Sequence, residues 1–176
     1  MTICNRRWAA VLVAVTVSAC GTHSNDDIPR GLLEAIGQSD AEDATYPRGE
    51  KGSAPGDIAP NVCISGWLDP RASDFDALAM EEICFADFWD PEGEDHRLLL
   101  VNTAAIWCSA CRVEYGGAGS RPPLSEEVAE RREHGLRVLG TLFQDAGRNP
   151  ATPSDGSLWA RTFDVDFPFG IDENFE

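Results

Sequence analysis

Two cysteines three residues apart carry the clearest chemistry in this chain. They sit in Trp107-Cys108-Ser109-Ala110-Cys111-Arg112, directly after the apolar run Leu98 to Ile106. A strand that hands a cysteine to the first turn of a helix places its sulfur among unpaired backbone N–H groups at the positive end of the helix dipole, which favours a thiolate. The second cysteine falls on the same helical face about one turn on, so the pair can close a disulfide and reopen it. That is the chemistry of thiol–disulfide exchange, with Cys108 attacking and Cys111 resolving. A bare C-x-x-C is also half of a zinc ribbon, but a tetrahedral site wants a second close pair of Cys or His. Here the other cysteines stand singly at 4, 20, 63 and 84, and His23, His96 and His134 are isolated. Redox chemistry is the reading this context favours; an inert disulfide or a buried thiol pair is the structural alternative.

The segment from Leu100-Val101-Asn102 through Trp107-Cys108-Ser109-Ala110-Cys111-Arg112-Val113-Glu114 resembles the active-site stretch of thioredoxin-like, TlpA-type lipoproteins: apolar strand, Asn, then Trp-Cys-x-x-Cys-Arg/Lys-x-Glu. Gly56 to Asn61, Leu78 to Phe88 and Gly135 to Phe143 resemble that family more loosely, so the similarity spans residues 55 to 175 and is diagnostic around 98 to 114. The resemblance implies a thioredoxin-like α/β fold. It also matches Glu114 to the family's acidic residue, which could influence proton transfer near Cys111, whereas an early-helix Glu also simply complements the helix dipole. Trp107 could shield the disulfide or just pack in the core. Arg112 could favour the attacking thiolate or be a solvated surface charge.

Composition bounds the compartment and the partners. The chain of 176 residues has room for one domain with a leader and a linker, and carries a formal net charge of -16. Removing residues 1–19 takes away Arg6 and Arg7 and leaves 12 basic against 30 acidic residues, a net of -18. Such a surface repels phosphate backbones, so nucleic-acid binding is not expected. Arg6-Arg7 followed by the apolar stretch Trp8 to Val17 reads as an export signal, too short to span a membrane as a helix. Val17-Ser18-Ala19-Cys20-Gly21 resembles a bacterial lipoprotein processing site, at which Cys20 would become the lipidated N-terminus; an ordinary cleavage site beside an incidental cysteine is the plainer alternative. Several acyl chains at about 0.8 kcal/mol per buried methylene would make the anchor durable. The protein is thus expected in the bacterial cell envelope, facing the periplasm, where disulfides persist. With Cys108 and Cys111 paired, Cys63 and Cys84 remain as a structural disulfide, or as two separate buried thiols.

The elements that must position these residues follow from local pattern. Residues 20–55 are rich in Gly, Ser, Asp, Glu and Pro, with one amphipathic stretch at Pro29 to Ile36, and read as a tether to a domain at 56–176. Ala59 to Leu68 is strand-like, and Phe75 to Phe88 has helical spacing of apolar positions at 75, 78, 79 and 83, giving an N-terminal elaboration. Arg97 to Ile106 is the main strand, buried on both faces. Gly116 to Pro123 must interrupt the helix after the cysteines, with a second helix from Ser125, as its N-terminal signal, to His134, stopped by Gly135. Leu136 to Phe143 is the next strand and completes a parallel βαβ unit. Gln144 to Ser157 reads as a loop, Leu158 to Phe163 as a short helix with Trp159 inward, and Phe167 to Ile171 as another strand. His96 and His134 fall at element ends, where solvated or capping roles are commoner than ligation.

One departure from the family pattern matters. Thioredoxin-like domains end in an antiparallel strand pair and a helix, with a cis-proline beside the disulfide, and the sequence stops at Glu176 before such a segment. The fold is therefore expected to be C-terminally incomplete, lacking the closing β-hairpin and helix, with an uncovered edge at Leu136 to Phe143; Pro168 is a secondary candidate for the cis-proline. The function expected is an exported, membrane-anchored thiol–disulfide oxidoreductase. It would use no organic cofactor and no metal, and would exchange electrons with disulfides or dithiols of extracytoplasmic proteins and with a membrane redox partner. Two alternatives are a peroxide-reducing or metallochaperone relative, whose isolated Cys or added His ligand is not found near Cys108, and a non-enzymatic surface lipoprotein of the same fold.

Overall fold

The residues from Leu98 to Ala105 present two apolar sets, Leu99 and Val101 toward one face and Leu100 and Ala104 toward the other, so their strand needs cover on both sides. In the computed structural model, which describes residues 46–173 and the backbone of 14–17, that strand lies inside a mixed sheet. The strands are β1 (Ala14–Val17), β2 (Cys63–Trp67), β3 (Glu81–Cys84), β4 (Leu98–Ala105), β5 (Leu136–Gln144) and β6 (Phe169–Ile171), in the order β1-β4-β5-β6-β2-β3. The chain is α/β, with helices α1 (Ser109–Gly116), α2 (Leu124–Arg132) and α3 (Pro153–Thr162). β4 and β5 run parallel, Leu98 opposite Leu136 through Ala104 opposite Leu142, with a register shift that brings Ala105 opposite Gln144. β6 continues the parallel set beside β5; β2 and β3 extend it antiparallel. β5 is thus an interior strand, correcting the expected open edge at Leu136 to Phe143, because the apolar Phe169–Ile171 pairs along its outer side.

Two apolar layers hold the sheet. One, beneath the helices, gathers Tyr115, Val128, Trp159, Phe167 and Phe169 around Ala104, Val138 and Leu142; the other packs Ile83 and Phe88 against Leu99, Val101 and Leu139. Gly140 makes the first layer possible: a Cβ there would stand 2.6 Å from the Phe169 ring and 2.9 Å from the Tyr115 hydroxyl. Only a residue without a side chain lets the α1 tyrosine reach the floor of the sheet.

Several boundaries differ from the sequence expectation for physical reasons. The segment from Phe75 to Phe88 is not a helix. Asp76 accepts the backbone N–H of Leu78 in a turn, Leu78 is left 88% exposed, and the chain then forms β3 and a 3-10 turn at Phe85–Phe88. Pairing of Ile83 with Ile64 across the hairpin, cross-linked by the adjacent Cys63–Cys84 disulfide, overrides the accidental helical spacing. Ser125 is not the cap of α2: Pro123 holds that position, and the Ser125 hydroxyl donates to the carbonyl of Asp164 at 3.0 Å. α3 begins at Pro153, earlier than expected, because Thr152 and Asp155 form a reciprocal capping box with proline in the first turn. Among the described residues every peptide bond is trans. Pro168 immediately precedes β6, which runs parallel to β4 and β5, so it lies at the opposite end of these strands from Cys108 and does not take the cis-proline role.

The leader, Cys20 and most of the expected tether lie outside the described residues, apart from the backbone of Ala14–Val17, which pairs with β4 from Leu100 to Thr103. The last part of the expected tether packs on the domain: the Tyr46 hydroxyl donates to the Ala59 carbonyl, and its ring meets Trp89 edge-on. Among the described residues no helix is long and apolar enough to cross a membrane.

Candidate active site

β4 ends at Ala105, and two turn residues, Ile106 and Trp107, carry the chain into α1. Backbone bonds from Ile106 N–H to the Gln144 carbonyl and from Cys108 N–H to the Ala105 carbonyl, both 3.0 Å, fix that turn to the ends of β4 and β5. Cys108 is the N-cap of α1, with extended backbone, and its Sγ accepts the backbone N–H of Cys111 at 3.2 Å. An N-cap group that accepts from the third helical N–H satisfies one of the orphan donors of the first turn. Here sulfur takes the place usually filled by a Ser or Asp oxygen, which suits it to carry negative charge.

Cys108 and Cys111 are disulfide-bonded, with Cα atoms 5.3 Å apart, in keeping with the pairing expected from their spacing. Both are nearly enclosed, at 3% and 4% exposure. The neighbouring residues divide by position. Trp107 is half-buried against the same apolar layer; its indole N–H donates to Gln144 Oε1 at 2.9 Å, its ring meets Phe143 edge-on, and the Arg148 guanidinium lies 4.9 Å from the ring centre. Arg112 turns back across the strand–helix junction, its Nε donating to the Ile106 carbonyl at 2.9 Å. Glu114 faces away toward the α1–α2 loop and pairs with Arg121 at 3.7 Å, and Arg121 also approaches Glu127 at 3.9 Å. Tyr115, on the helix face of Cys111, is buried with its hydroxyl lacking a hydrogen-bond partner, and burial, with Glu114 a smaller contributor, pushes its acidity far below that of a free tyrosine.

Cys63 and Cys84 stand directly opposite each other on β2 and β3 and are disulfide-bonded, with Cα atoms 4.0 Å apart. Glu82 shares their face of the hairpin. With the sulfurs joined to each other, the carboxylate is the one strong donor left there, so the group is a cross-link and not a metal centre. His134 is exposed beside Glu133, and His96 lines a cleft of about 630 Å³ at the other end of the sheet, with Phe88, Arg132, Arg137 and Phe167.

The sequence reading brought together Trp107, Cys108 and Cys111 and missed Gln144 and Arg148. No local signal marks those two. They reach Trp107 because β5 runs parallel to β4, so the turn after β5 emerges beside the turn after β4. Arg121 was missed for a similar reason, since the Gly-rich loop that carries it shows only that the helix must break. No family model, curated protein or solved structure matches this chain.

Proposed function

We propose that the chain is an exported, lipid-anchored thiol–disulfide oxidoreductase of thioredoxin-like fold, acting on disulfides or dithiols of other extracytoplasmic proteins. The observation that carries the reading is Cys108 at the N-cap of α1, its sulfur hydrogen-bonded by the Cys111 N–H and joined to the Cys111 sulfur. The parallel β4–β5 pair, with α1 and α2 between its strands, supports the fold assignment. In the reducing direction, the Cys108 thiolate attacks one sulfur of a substrate disulfide, forming a mixed disulfide and releasing a substrate thiolate. The Cys111 thiolate then attacks Cys108 Sγ, expelling the second substrate thiolate, and the protein is left oxidised by two electrons. A dithiol donor at the membrane restores the pair, and the reverse sequence oxidises a substrate dithiol, the direction following the partners' potentials.

Insulin reduction in the presence of a dithiol reductant tests the activity. Cys108→Ser should abolish it, while Cys111→Ser should accumulate a mixed disulfide with substrate. Limiting iodoacetamide on the reduced chain, read by peptide mass mapping, should label Cys108 before Cys111; the opposite order would reverse the roles. The burial of both cysteines favours a second reading, a non-enzymatic lipoprotein in which the pair only closes the first turn of α1. That reading requires insulin turnover no faster than with the reductant alone.

A further inference from the structure

We propose that Gln144 and Arg148 are positioning residues that hold Trp107 as a gate over the cysteine pair, so that access to Cys108 is set by the turn following β5. The inference rests on the exchange reading for its biological purpose and on the contacts of Trp107 for its mechanism. With Cys108 only 3% exposed, its sulfur does not meet the sulfur of a folded substrate in line until a neighbouring group yields. Trp107, adjacent in sequence and packed against the layer that contains both sulfurs, is the large side chain held at its outer side by polar contacts. Its anchors all come from one short stretch. Gln144 Oε1 accepts the indole N–H, Phe143 meets the ring edge-on, and the Arg148 guanidinium lies over the ring.

That stretch is itself braced. Asp145 accepts the backbone and side-chain N–H groups of Asn149 at 2.8 and 2.9 Å, and its carbonyl accepts from Arg148 N–H at 3.3 Å. Arg148 adopts φ 67°, a left-handed conformation that costs a non-glycine residue energy and is maintained by the surrounding turn. The reward for that conformation is the placement of its guanidinium on Trp107. Both anchors are exchangeable: a substrate amide can replace Gln144 on the indole, and a substrate carboxylate or aromatic ring can draw Arg148 away. Opening the gate on contact and closing it afterwards would keep the reduced pair from small oxidants between encounters.

The test measures access directly. On the full chain in the dithiol state, the rate of alkylation by iodoacetamide is followed at each cysteine by mass mapping for wild type, Gln144→Ala, Arg148→Ala and Arg148→Lys. Losing one hydrogen bond or one cation–ring contact should speed labelling of Cys108 about three- to tenfold. Cys63 and Cys84, joined in their disulfide, should stay unlabelled in every variant, the urea unfolding midpoint should stay at the wild-type value, and Arg148→Lys, which keeps a cation over the ring, should label Cys108 at close to the wild-type rate. Unchanged labelling of Cys108, or acceleration that comes only with a lowered urea midpoint, would overturn the gate. Insulin turnover on the same samples keeps the two ideas apart: no turnover by wild type removes the exchange reading, whereas the alkylation rates judge the gate by themselves.

Discussion

At Tyr115 the structure buries a polar atom without giving it a partner. The ring contributes edge and tilted contacts to Trp159, Phe163, Phe167 and Phe169, so it is the centre of the aromatic layer under α1, but its hydroxyl lies unpaired beneath the sheet-facing side of that layer. Asn102, opposite Gly140 on β4, has its Oδ1 equally buried and unpaired. An unmade hydrogen bond in such a place costs about 1–3 kcal/mol, while the ring's packing contributes more than that. Tyr115→Phe should therefore be neutral or raise stability by up to about 1 kcal/mol, and Tyr115→Ala should lower it by about 3–5 kcal/mol. Urea unfolding of the three proteins checks both figures. Clear destabilisation by Tyr115→Phe would show that the hydroxyl is bonded in solution.

Among the elements, the β2–β3 hairpin depends most on a covalent link. β3 is four residues long, Glu81 and Glu82 are exposed, and the long connection from Leu68 to Met80 is made of turns, so β3 is held to the sheet through its pairing with β2 and through one buried side chain, Ile83, in the layer with Leu99, Val101 and Leu139. The Cys63–Cys84 disulfide spans a sequence separation of 21 and limits the unfolded chain, an effect of about 3 kcal/mol. The double substitution Cys63→Ala with Cys84→Ala should lower the unfolding free energy by about 2–4 kcal/mol and leave labelling of Cys108 unaltered. A smaller loss in denaturant unfolding would mean the hairpin docks without its link. This hairpin is also where the sequence was least legible. Apolar residues at 75, 78, 79 and 83 fit a helix by spacing alone, and a four-residue strand has too few positions for its period-2 pattern to compete. β4 and β5 were readable because each is a mostly apolar, β-prone stretch of eight or nine residues, and the helix break at Gly116 to Pro123 was readable from backbone chemistry. The start of α3 carried a local signal, Thr152-Pro153-Ser154-Asp155, that the surrounding Gly, Pro and Asn residues masked. Gln144 and Arg148 had none, because their meaning lies in contact with a residue about forty positions away.

For the whole molecule, charge opposes folding more than it supports it. The net charge of -16 draws acidic side chains of one sign together when the chain compacts, and the counterweight is a small set of ion pairs on the surface. Among the described residues, Arg71 bridges Asp164 and Asp166, Arg132 also reaches Asp166, and Arg121 lies between Glu114 and Glu127. The arginines of these pairs are about half exposed, so each pair contributes on the order of 0–1 kcal/mol, and the close pairs are the least sensitive to distant ions. Repulsion acts over longer distances. At about 10 mM salt the Debye length is about 30 Å, comparable with the domain itself, whereas at about 0.15 M it is about 8 Å and most acidic pairs no longer sense one another. Raising sodium chloride between these limits should therefore raise the thermal midpoint of the full chain by about 2–5 °C, measured by circular dichroism at constant pH near neutrality. The same increase should speed capture of an acidic protein substrate and slow capture of a basic one, since screening removes repulsion in the first case and attraction in the second. A midpoint that falls with salt would mean that the arginine clusters around Asp166 and Arg121, and not the net charge, dominate the electrostatics of the fold.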